Sequence, residues 1–575
     1  MLAIFLIFLT KYIRKIRLVI LIIIAVIFPL FTIFNTIDSV LYGLVGMRFS
    51  PSVLKNQLNM DWTHPLFIGM ITDYIIPVIL GIIMSIFLIT WIIRSLRSSL
   101  EIGSNSLSSR SLMKSTLLTL LLLAVSFVPK SKPIQPLELL YGKYLVGWDK
   151  VSLNDEKVAF DQLRGFIGLP EGRKWLSYGY PLVHIPETTP KGEQPKLDHP
   201  DIIIIFMESL RGENLVHINP EADLIVPTPS LTRLSKEAVI FPWYISNAFP
   251  SAPSYITISH GIWPHQTENV ASEFREIKYE SVSNRLRRRG YKTLFVENYP
   301  RFDKHDSWVK DYDEPLYIPA EMKDSDRSIF QISLTKLQEY DSISLGQPIF
   351  AFIQTRSPHM PYGTPNDSTG DFEFGRDVVD NYIKSMSYVD HYLGKFVDGL
   401  KTRERWENTL LIIVGDHANY LNFDLTSNKS INDTQWTSGM IVGPERLIGK
   451  PRTVYKHVSH VDIGPTLLTI INDIDPSPFV GRDIFSPNSS SALAIREGSI
   501  RYDAHGESVI VDRMSRSMTV DIAFPVGPVT SEKMEMRNIG STLIDITRTL
   551  SYLYENDRIW DPGLLGTVSI EVPLN

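Results

Sequence analysis

Apolar residues are concentrated in the first 130 positions, whereas the rest of the chain mixes apolar and polar residues in ordinary proportion. Three stretches, 18–37, 73–93 and 112–128, have about the twenty apolar residues that a helix needs to cross a bilayer. Residues 1–10 are apolar but about half a span long, which fits part of a further helix or an interfacial anchor. The pattern predicts a transmembrane region over 1–130 with about three spans. A large apolar helical domain buried in protein is the alternative.

Basic residues predict the orientation of these spans, because cytoplasmic loops are enriched in Lys and Arg. One group precedes the first span and another follows the second: Lys11, Arg14, Lys15 and Arg17, then Arg94, Arg97, Arg110 and Lys114. Three crossings from a cytoplasmic start place everything after residue 129 outside the cytoplasm. A cleavable signal peptide fits poorly, because the basic cluster follows the first apolar run.

From residue 201 onward, short β-branched runs alternate with helical stretches. The runs 202–207, 291–297, 348–355 and 408–415 are typical of buried parallel strands, and 377–400 is typical of a helix. This alternation predicts an α/β sandwich with a mostly parallel sheet. In such sheets ligands bind outside the carboxyl ends of the strands.

Changes in composition predict the domain boundaries. A juxtamembrane linker over 131–199 is rich in Pro, Lys and Gly and includes a short helical patch at 157–163. A catalytic domain over 200–490 contains the predicted parallel strands. A C-terminal subdomain over 491–575 follows, with predicted strands at 507–512 and 517–523 and a helix at 541–555.

Composition excludes several classes of function. The 575 residues carry a net charge of only −6, which argues against nucleic acid as a partner. The chain has no cysteine, so disulfides, thiolate metal sites and a cysteine nucleophile are excluded. With the apolar spans, these features favour a protein of the bacterial inner (plasma) membrane whose main domain is extracytoplasmic.

Side chains that can bind a metal ion or act in catalysis follow the predicted strands. Glu208 comes directly after the first strand, and Asp416 with His417 comes after the run 408–415. Ser251 opens a helix in a stretch rich in hydroxyls and prolines, where a helix N-terminus favours an alkoxide and binds anionic oxygens. Two carboxylates, an imidazole and a hydroxyl can bind one divalent cation, and these ligands suit Mn²⁺, Mg²⁺ or Zn²⁺. Taken singly, each residue also fits a helix cap, an ordinary turn or a loop.

Four short motifs extend this pattern. Ser251-x-Pro-Ser254 is followed by Gly261 and Pro264, and the others are Gly290-Tyr-Lys-Thr293, Ser357-Pro-His-Met-Pro361 and Val458-Ser-His-Val-Asp-Ile-Gly-Pro-Thr-Leu-Leu468. From about 200 to 490 the chain resembles the alkaline phosphatase superfamily. The resemblance is to its sulfatase-domain group, which contains lipoteichoic acid synthases and phosphoethanolamine transferases.

The resemblance implies roles for five residues. Glu208, Asp416 and His417 would bind one divalent metal, with Mn²⁺ preferred and Zn²⁺, Mg²⁺ or Ca²⁺ as alternatives. Ser251 would be the nucleophile and a fourth ligand. His359 would contact substrate and either protonate a leaving alkoxide or bind a phosphoryl oxygen. Arg356 is a further candidate for binding phosphate, because guanidinium groups match phosphate geometry. For His457 and His460 a supporting role remains open.

Two departures from the sulfatase pattern bear on function. Glu208 stands alone where sulfatases have an acidic pair, and Tyr255 occupies the position of the arginine that directs nucleophile maturation. Both imply an unmodified serine and a transferase. It would move a phosphoglycerol or phosphoethanolamine headgroup from a phospholipid to an envelope glycan or glycolipid at the membrane. A sulfuric-ester or phosphodiester hydrolase is the first alternative, and a non-catalytic envelope binding protein is the second.

Overall fold

The computed structural model describes residue 90 and residues 153–167, 175–185, 199–298, 306–318, 325–343, 346–360, 362, 377–419, 434–486, 491–496, 499–512, 517–524, 526–528 and 538–565. The three predicted membrane spans lie outside this set, Thr90 excepted. Within the described ranges, no helix has both the length and the apolar character needed to cross a bilayer. The described residues from 153 onward belong to one compact unit, Asp149–Asn575.

An eight-stranded sheet forms the centre of this unit. Its strands are β1 Asp201–Met207, β2 Ala238–Phe241, β4 Lys292–Asn298, β5 Glu314–Ile318, β6 Ile349–Gln354, β7 Thr409–Gly415, β8 Gly439–Val442 and β9 Arg452–Thr453; β3 Tyr244–Ile245 pairs separately with β10 Val458–Ser459. The strand order is β5-β4-β6-β1-β7-β8-β2-β9. Because β1 pairs in parallel with β6 and β7, and β8 is antiparallel to both β7 and β2, the prediction of a mostly parallel sheet is confirmed.

Helices cover the sheet: α1 Glu156–Phe166, α2 Pro229–Ser235, α3 Ser251–His260, α4 Val270–Glu273, α5 Val282–Arg288, α6 Asp306–Val309, α7 Ser325–Ile343, α8 Val378–Leu400, α9 Glu445–Ile448, α10 Ile463–Ile470 and α11 Ile539–Glu555. Capping residues mark some of their ends. The side chain of Asp377 caps the long helix α8 by accepting from the Asp380 N–H, and Gly290, at φ +89°, follows α5 where the sequence predicts a helix end.

Part of the predicted linker packs into the folded unit. Phe160 and Leu163 of α1 are buried in the main hydrophobic core, and Phe160 lies 6.5 Å from the ring of Tyr552 in α11. The backbone of His184 exchanges two hydrogen bonds with Ser477. The described residues 153–167 and 175–185 are therefore packed structure, which the Pro-, Lys- and Gly-rich composition does not predict.

A four-stranded antiparallel sheet follows the large one, with strands β11 Ser491–Arg496, β12 Ser499–Ala504, β13 Glu507–Asp512 and β14 Met518–Ile522. Its first strand reaches the loop before α3, because the Ile495 N–H donates to the Asn247 carbonyl at 2.9 Å. The Asn247 side chain donates in return to the Leu493 carbonyl at 2.7 Å. This sheet thus contacts the segment that precedes Ser251.

Candidate active site

The parallel pairing of β1 with β7 brings the predicted acidic residues together. Met207 lies opposite Gly415 in the strand register, so Glu208 and Asp416 leave the sheet side by side. One ligand atom from each of Glu208, Asp416 and His417 lies within 4.8 Å of the other two, and all three residues are buried. A side chain at Gly415 would clash, since a Cβ there would lie 2.0 Å from the Thr437 hydroxyl oxygen.

Hydrogen bonds fix one oxygen of each carboxylate. Asp416 Oδ1 accepts from the backbone N–H groups of Ser209 at 2.7 Å and His417 at 2.6 Å. Glu208 Oε1 accepts from the Ser209 hydroxyl at 2.7 Å. Asp416 Oδ2 is buried and has no hydrogen-bond partner. A buried carboxylate oxygen without a donor is costly, and a bound cation would satisfy it.

The imidazole of His417 has a defined tautomer. Its Nδ1 lies 3.0 Å from the Ala418 carbonyl, which can only accept, so Nδ1 carries the hydrogen. The lone pair of Nε2 then faces the cluster, 3.4 Å from Asp416 Oδ2 and 4.0 Å from Glu208 Oε1. This is the arrangement that metal-binding histidines adopt.

Ser251 completes the cluster from the start of helix α3. Its hydroxyl donates to Glu208 Oε2 at 3.0 Å and lies 3.3 Å from Nε2 of His417. The first backbone N–H groups of a helix have no partner within the helix and carry partial positive charge. The hydroxyl therefore lies where both an alkoxide and phosphoryl oxygens are stabilised.

The pKa shifts show that nearby positive charge does not fully balance the two carboxylates of this cluster. Burial raises the pKa of Asp416 to about 6, and burial together with the Asp416 charge raises the pKa of Glu208. Burial lowers the pKa of His417, which favours the neutral imidazole that binds metals. Two carboxylates, a neutral imidazole and an unpartnered oxygen fit a divalent cation.

The segment after β6 contains the two other predicted residues. The buried Asp326 accepts from the backbone N–H groups of Arg356 and Ser357, each at 2.7 Å, and so fixes this loop. Nδ1 of His359 donates to the Met360 carbonyl at 2.6 Å. Burial lowers the pKa values of both Arg356 and His359, and the charge of Glu208 opposes each shift. The structure therefore brings both residues into the electrostatic field of Glu208.

The two histidines left open have supporting contacts. Nε2 of His460 lies 2.9 Å from the Gly415 carbonyl, and its Nδ1 lies 3.1 Å from the Thr257 hydroxyl. His460 thus connects helix α3 to the end of β7. Nε2 of His457 accepts from the Gly506 N–H at 3.0 Å and faces the C-terminal sheet instead.

Two residues at this site escaped prediction from the sequence. Ser209 donates to both acidic residues, but nothing in its local sequence reports its backbone angle. Arg496, at the end of β11, places its guanidinium 4.5 Å from the centre of the Phe249 ring. That ring lies 4.6 Å from the imidazole of His417. No sequence signal places β11 beside the loop before Ser251.

Comparison with known proteins identifies the central domain. Residues 200–474 match the family model described as Sulfatase. The match assigns a sulfatase domain to this part of the chain. The resemblance to the sulfatase-domain group is confirmed, and sulfatase domains belong to transferases or hydrolases.

Curated relatives of the domain include two lipoteichoic acid synthases. Lipoteichoic acid synthase 2 of Bacillus subtilis is 24% identical over 334 residues, covering 53% of this chain and 50% of the relative. Lipoteichoic acid synthase of Staphylococcus aureus is 23% identical over 330 residues, covering 52% and 49%. The chain thus spans about half the length of the curated relatives that it matches.

Two solved structures share the fold of the sulfatase domain. A protein in the alkaline phosphatase superfamily from Vibrio parahaemolyticus is 18% identical, with a TM-score of 0.56, covering 72% of this chain and 99% of that chain. The lipoteichoic acid synthase from Listeria monocytogenes is 17% identical, with a TM-score of 0.50, covering 62% and 92%. At these identities the similarity establishes the fold.

Proposed function

We propose that this protein is a membrane-anchored, metal-dependent transferase acting through Ser251. It would move a phosphoglycerol or phosphoethanolamine headgroup from a phospholipid to a cell-envelope glycan or glycolipid. One observation carries the proposal: the Ser251 hydroxyl lies within hydrogen-bonding distance of both Glu208 and His417 at a helix N-terminus. A hydroxyl placed there is a poised nucleophile.

Glu208, Asp416 and His417 would hold one divalent ion, with Ser251 as the fourth ligand. The unpartnered Asp416 Oδ2 and the neutral imidazole support this assignment. Mn²⁺ is the preferred ion, and Zn²⁺, Mg²⁺ or Ca²⁺ are alternatives because the ligand set suits several hard or borderline cations. The bound ion would lower the pKa of the serine hydroxyl and neutralise charge on the reacting group.

The reaction would consist of two displacements at phosphorus. The Ser251 oxygen attacks the phosphodiester, and the bond from phosphorus to the diacylglycerol oxygen breaks. The acceptor hydroxyl then attacks the phosphoseryl group, the bond from the Ser251 oxygen to phosphorus breaks, and serine is restored. Each step exchanges one oxygen–phosphorus bond for another, which explains why no further reactant is needed.

His359 suits the proton transfers of both steps. Because Nδ1–H donates to the Met360 carbonyl, the neutral ring presents Nε2 as an acceptor. The proton that leaves the Ser251 hydroxyl on ionisation would be held by Nε2 of His359. The resulting imidazolium would protonate the departing diacylglycerol oxygen, and the neutral ring would then take the proton of the attacking acceptor hydroxyl, so that each turnover ends with serine ionised and His359 protonated, as it began. Arg356 lies on the same loop as His359, near enough to Glu208 for that charge to affect its pKa, and its guanidinium would bind phosphoryl oxygens there.

The environment of Tyr255 supports an unmodified serine. Its ring is buried 5.2 Å from Phe352 and 5.7 Å from Phe295, so this position faces the hydrophobic core. An aromatic core residue here replaces the arginine that the sulfatase pattern has at this position. A plain serine lacks the aldehyde hydrate by which sulfatases release sulfate, whereas a second alcohol can attack a phosphoseryl group.

The apolar N-terminal region supports a lipid donor. Spans over 18–37, 73–93 and 112–128 would hold the domain near phospholipid headgroups on the extracytoplasmic face of the inner membrane. Fusions of alkaline phosphatase and of a fluorescent protein at Pro190 test this topology. Phosphatase activity without fluorescence is expected, and cytoplasmic fluorescence would contradict it.

Mass spectrometry of Ser251 tests the transfer directly. The full-length chain in detergent is incubated with Mn²⁺ and phosphatidylglycerol or phosphatidylethanolamine, and the peptide containing Ser251 is weighed. A phosphoglycerol or phosphoethanolamine adduct that Ser251→Ala lacks would support the proposal. Ser251-dependent release of sulfate from an aryl sulfate without lipid turnover would favour the hydrolase, and neither activity would favour a binding protein.

A further inference from the structure

Ser209 has an unusual backbone conformation directly after Glu208, the acidic residue that follows β1. Its φ is +53°, in the left-handed region that side chains other than glycine, asparagine and aspartate rarely adopt. A residue held there needs surrounding contacts that outweigh its conformational cost, and such residues cluster at functional sites. The contacts of Ser209 identify what this conformation achieves.

The left-handed turn directs two donors of one residue to two different carboxylates. The backbone N–H of Ser209 reaches Asp416 Oδ1 at 2.7 Å, and its hydroxyl reaches Glu208 Oε1 at 2.7 Å. Asp416 Oδ2 and Glu208 Oε2 are the oxygens that remain for the centre of the cluster. Ser209 thereby sets the rotation of both carboxyl groups.

A tyrosine from another element holds Ser209 in place. Tyr382, in the first turns of α8, donates its hydroxyl to the Ser209 carbonyl at 2.8 Å, and its side chain is fully buried. The same ring lies 5.5 Å from Tyr362, edge to face. The N–H of Tyr362 donates to the His359 carbonyl at 2.8 Å. Tyr382 therefore contacts both the serine between the acidic residues and the segment that contains His359.

We propose that Ser209 and Tyr382 are positioning residues that preset the two acidic ligands for a divalent ion and couple them to the His359 segment. The inference rests on the proposed metal and serine chemistry. Two carboxylates that repel each other in a buried site would otherwise rotate towards separate partners. Positioning by the protein removes that cost before the ion binds, as partners of metal ligands do elsewhere.

Calorimetric titration of Mn²⁺ into the metal-free, full-length chain in detergent tests the positioning role. Ser209→Ala and Ser209→Gly should each weaken Mn²⁺ binding by about 10- to 100-fold, because both lose the bond to Glu208. The glycine variant keeps the left-handed backbone without strain, so it remains informative if the alanine variant folds poorly. Tyr382→Phe should weaken binding by about 10-fold while retaining the ring contact with Tyr362.

Two matched variants remove equivalent buried bonds elsewhere. Ser551→Ala deletes a serine hydroxyl that donates to the Thr547 carbonyl at 3.0 Å and accepts from the Gln266 N–H at 3.1 Å. Tyr554→Phe deletes a tyrosine hydroxyl that donates to the Trp263 carbonyl at 2.6 Å. Both should leave Mn²⁺ affinity within about twofold of the unaltered protein, whatever their effect on melting temperature.

Glu208→Gln separates failure of this inference from failure of the proposed function. If Glu208→Gln loses Mn²⁺ binding while the Ser209 and Tyr382 variants bind like their controls, the positioning role is wrong and the metal site stands. If Glu208→Gln binds Mn²⁺ as tightly as the unaltered protein, the metal site itself is wrong and the inference falls with it.

Discussion

Two buried acidic clusters of this protein have opposite electrostatics. In the first, Glu208 and Asp416 lie beside Ser251, and burial raises the pKa of Asp416 to about 6. In the second, Asp473 accepts from the guanidinium groups of Arg285 and Arg289 at 2.7 to 2.9 Å. Burial alone would raise its pKa, but these hydrogen bonds lower the pKa of Asp473 to about 2.

The difference between the clusters lies in their partners, since Asp416 and Asp473 are the same residue type and both are buried. Arginine forks satisfy Asp473 within the protein, so that cluster joins α5 to the turn after α10 and contributes stability. Asp416 keeps one oxygen without a donor and lies beside a second carboxylate, which costs stability until a cation binds. Buried acids with a raised pKa and an oxygen without a donor, such as Asp416, are typical of functional sites.

The largest expected effect concerns the Ser251 hydroxyl, which lies beside Glu208 and Asp416. Ser251→Ala should reduce headgroup transfer by about 10⁴-fold or more, because alanine has no hydroxyl to form the covalent intermediate at this position. Ser251→Thr keeps the hydroxyl and should retain measurable transfer. Activity is followed on a fluorescent phospholipid with Mn²⁺ present. Ser254→Ala, a neighbouring serine whose hydroxyl donates to the Ala248 carbonyl, is the control, and loss of equal size in both variants would contradict the assignment.

Neutralising one aspartate in each cluster should have opposite effects. Asp473→Asn should lower the free energy of unfolding by about 3 kcal/mol, since it removes the buried charge that both arginines share and leaves Arg285 with Glu280 at 3.6 Å and Arg289 with Asp475 at 2.8 Å. Asp416→Asn should raise the stability of the metal-free protein by about 1 kcal/mol or more, because it removes a buried negative charge. Thermal and urea unfolding in EDTA measure both changes.

Metal binding should show the reverse order. Asp416→Asn should abolish most Mn²⁺ binding, whereas Asp473→Asn should leave the affinity of the folded protein unchanged. Equal Mn²⁺ affinity in the two variants, or destabilisation by both in EDTA, would remove the distinction between the clusters.

The sequence predicts one cluster far better than the other, for a physical reason. Runs of β-branched residues encode β1 and β7 locally, and parallel strands end at the same edge of a sheet. Glu208, Asp416 and His417 were therefore expected to converge, and the structure brings them together with Ser251. No local pattern pairs Asp473 with Arg285, because that contact depends on how α5 packs against a distant turn.

The same limit applies to the periphery of the site. The Pro- and Lys-rich composition of 131–199 predicts a linker. Phe160 of α1 is nevertheless buried in the core, because it packs against Tyr552 of α11. The positive φ of Ser209 follows from contacts with Asp416 and Tyr382, which lie far away in the chain. Tertiary contacts, rather than propensity, decide such features.

Acid should weaken the cluster of Asp473 with Arg285 and Arg289 over a defined range of pH. The pKa of Asp473 is lowered from its ordinary value of 3.8 to about 2, so its ionised form is the one stabilised by folding. Its contribution, about 2 kcal/mol, is fully present above about pH 5 and is lost as the pH falls through 3.8 towards 2. The difference in unfolding free energy between the unaltered protein and Asp473→Asn should therefore shrink between pH 5 and pH 2.5. A constant difference would show that Asp473 does not titrate in this way.

The smallest expected effect concerns a cation that lies near the unsatisfied cluster. Arg496 stacks on Phe249, which packs on His417, and it donates from Nη1 to the Thr434 hydroxyl at 3.1 Å. Burial first, and then the Arg496 charge, lower the pKa of His417. The guanidinium carries its N–H donors in a planar fork that matches the geometry of anionic oxygens.

Arg496→Gln should therefore raise the KM for the phospholipid donor by about 10-fold, the loss expected for one charge-assisted hydrogen bond, with Mn²⁺ affinity nearly unchanged. Arg452→Gln is the control, because the Arg452 guanidinium also lies over a phenylalanine ring, that of Phe485 at 5.8 Å, and donates to the carbonyls of Ile448 and Lys450. Steady-state kinetics on a fluorescent phospholipid measure the KM of both variants. If Arg496→Gln lowers only the melting temperature and leaves KM at the control value, Arg496 merely packs the C-terminal sheet against the Phe249 loop. In that case the positive charge beside Glu208 and Asp416 would come from the bound metal ion and Arg356, without Arg496. The contrast with Asp473, which is paired with two arginines, would then be larger.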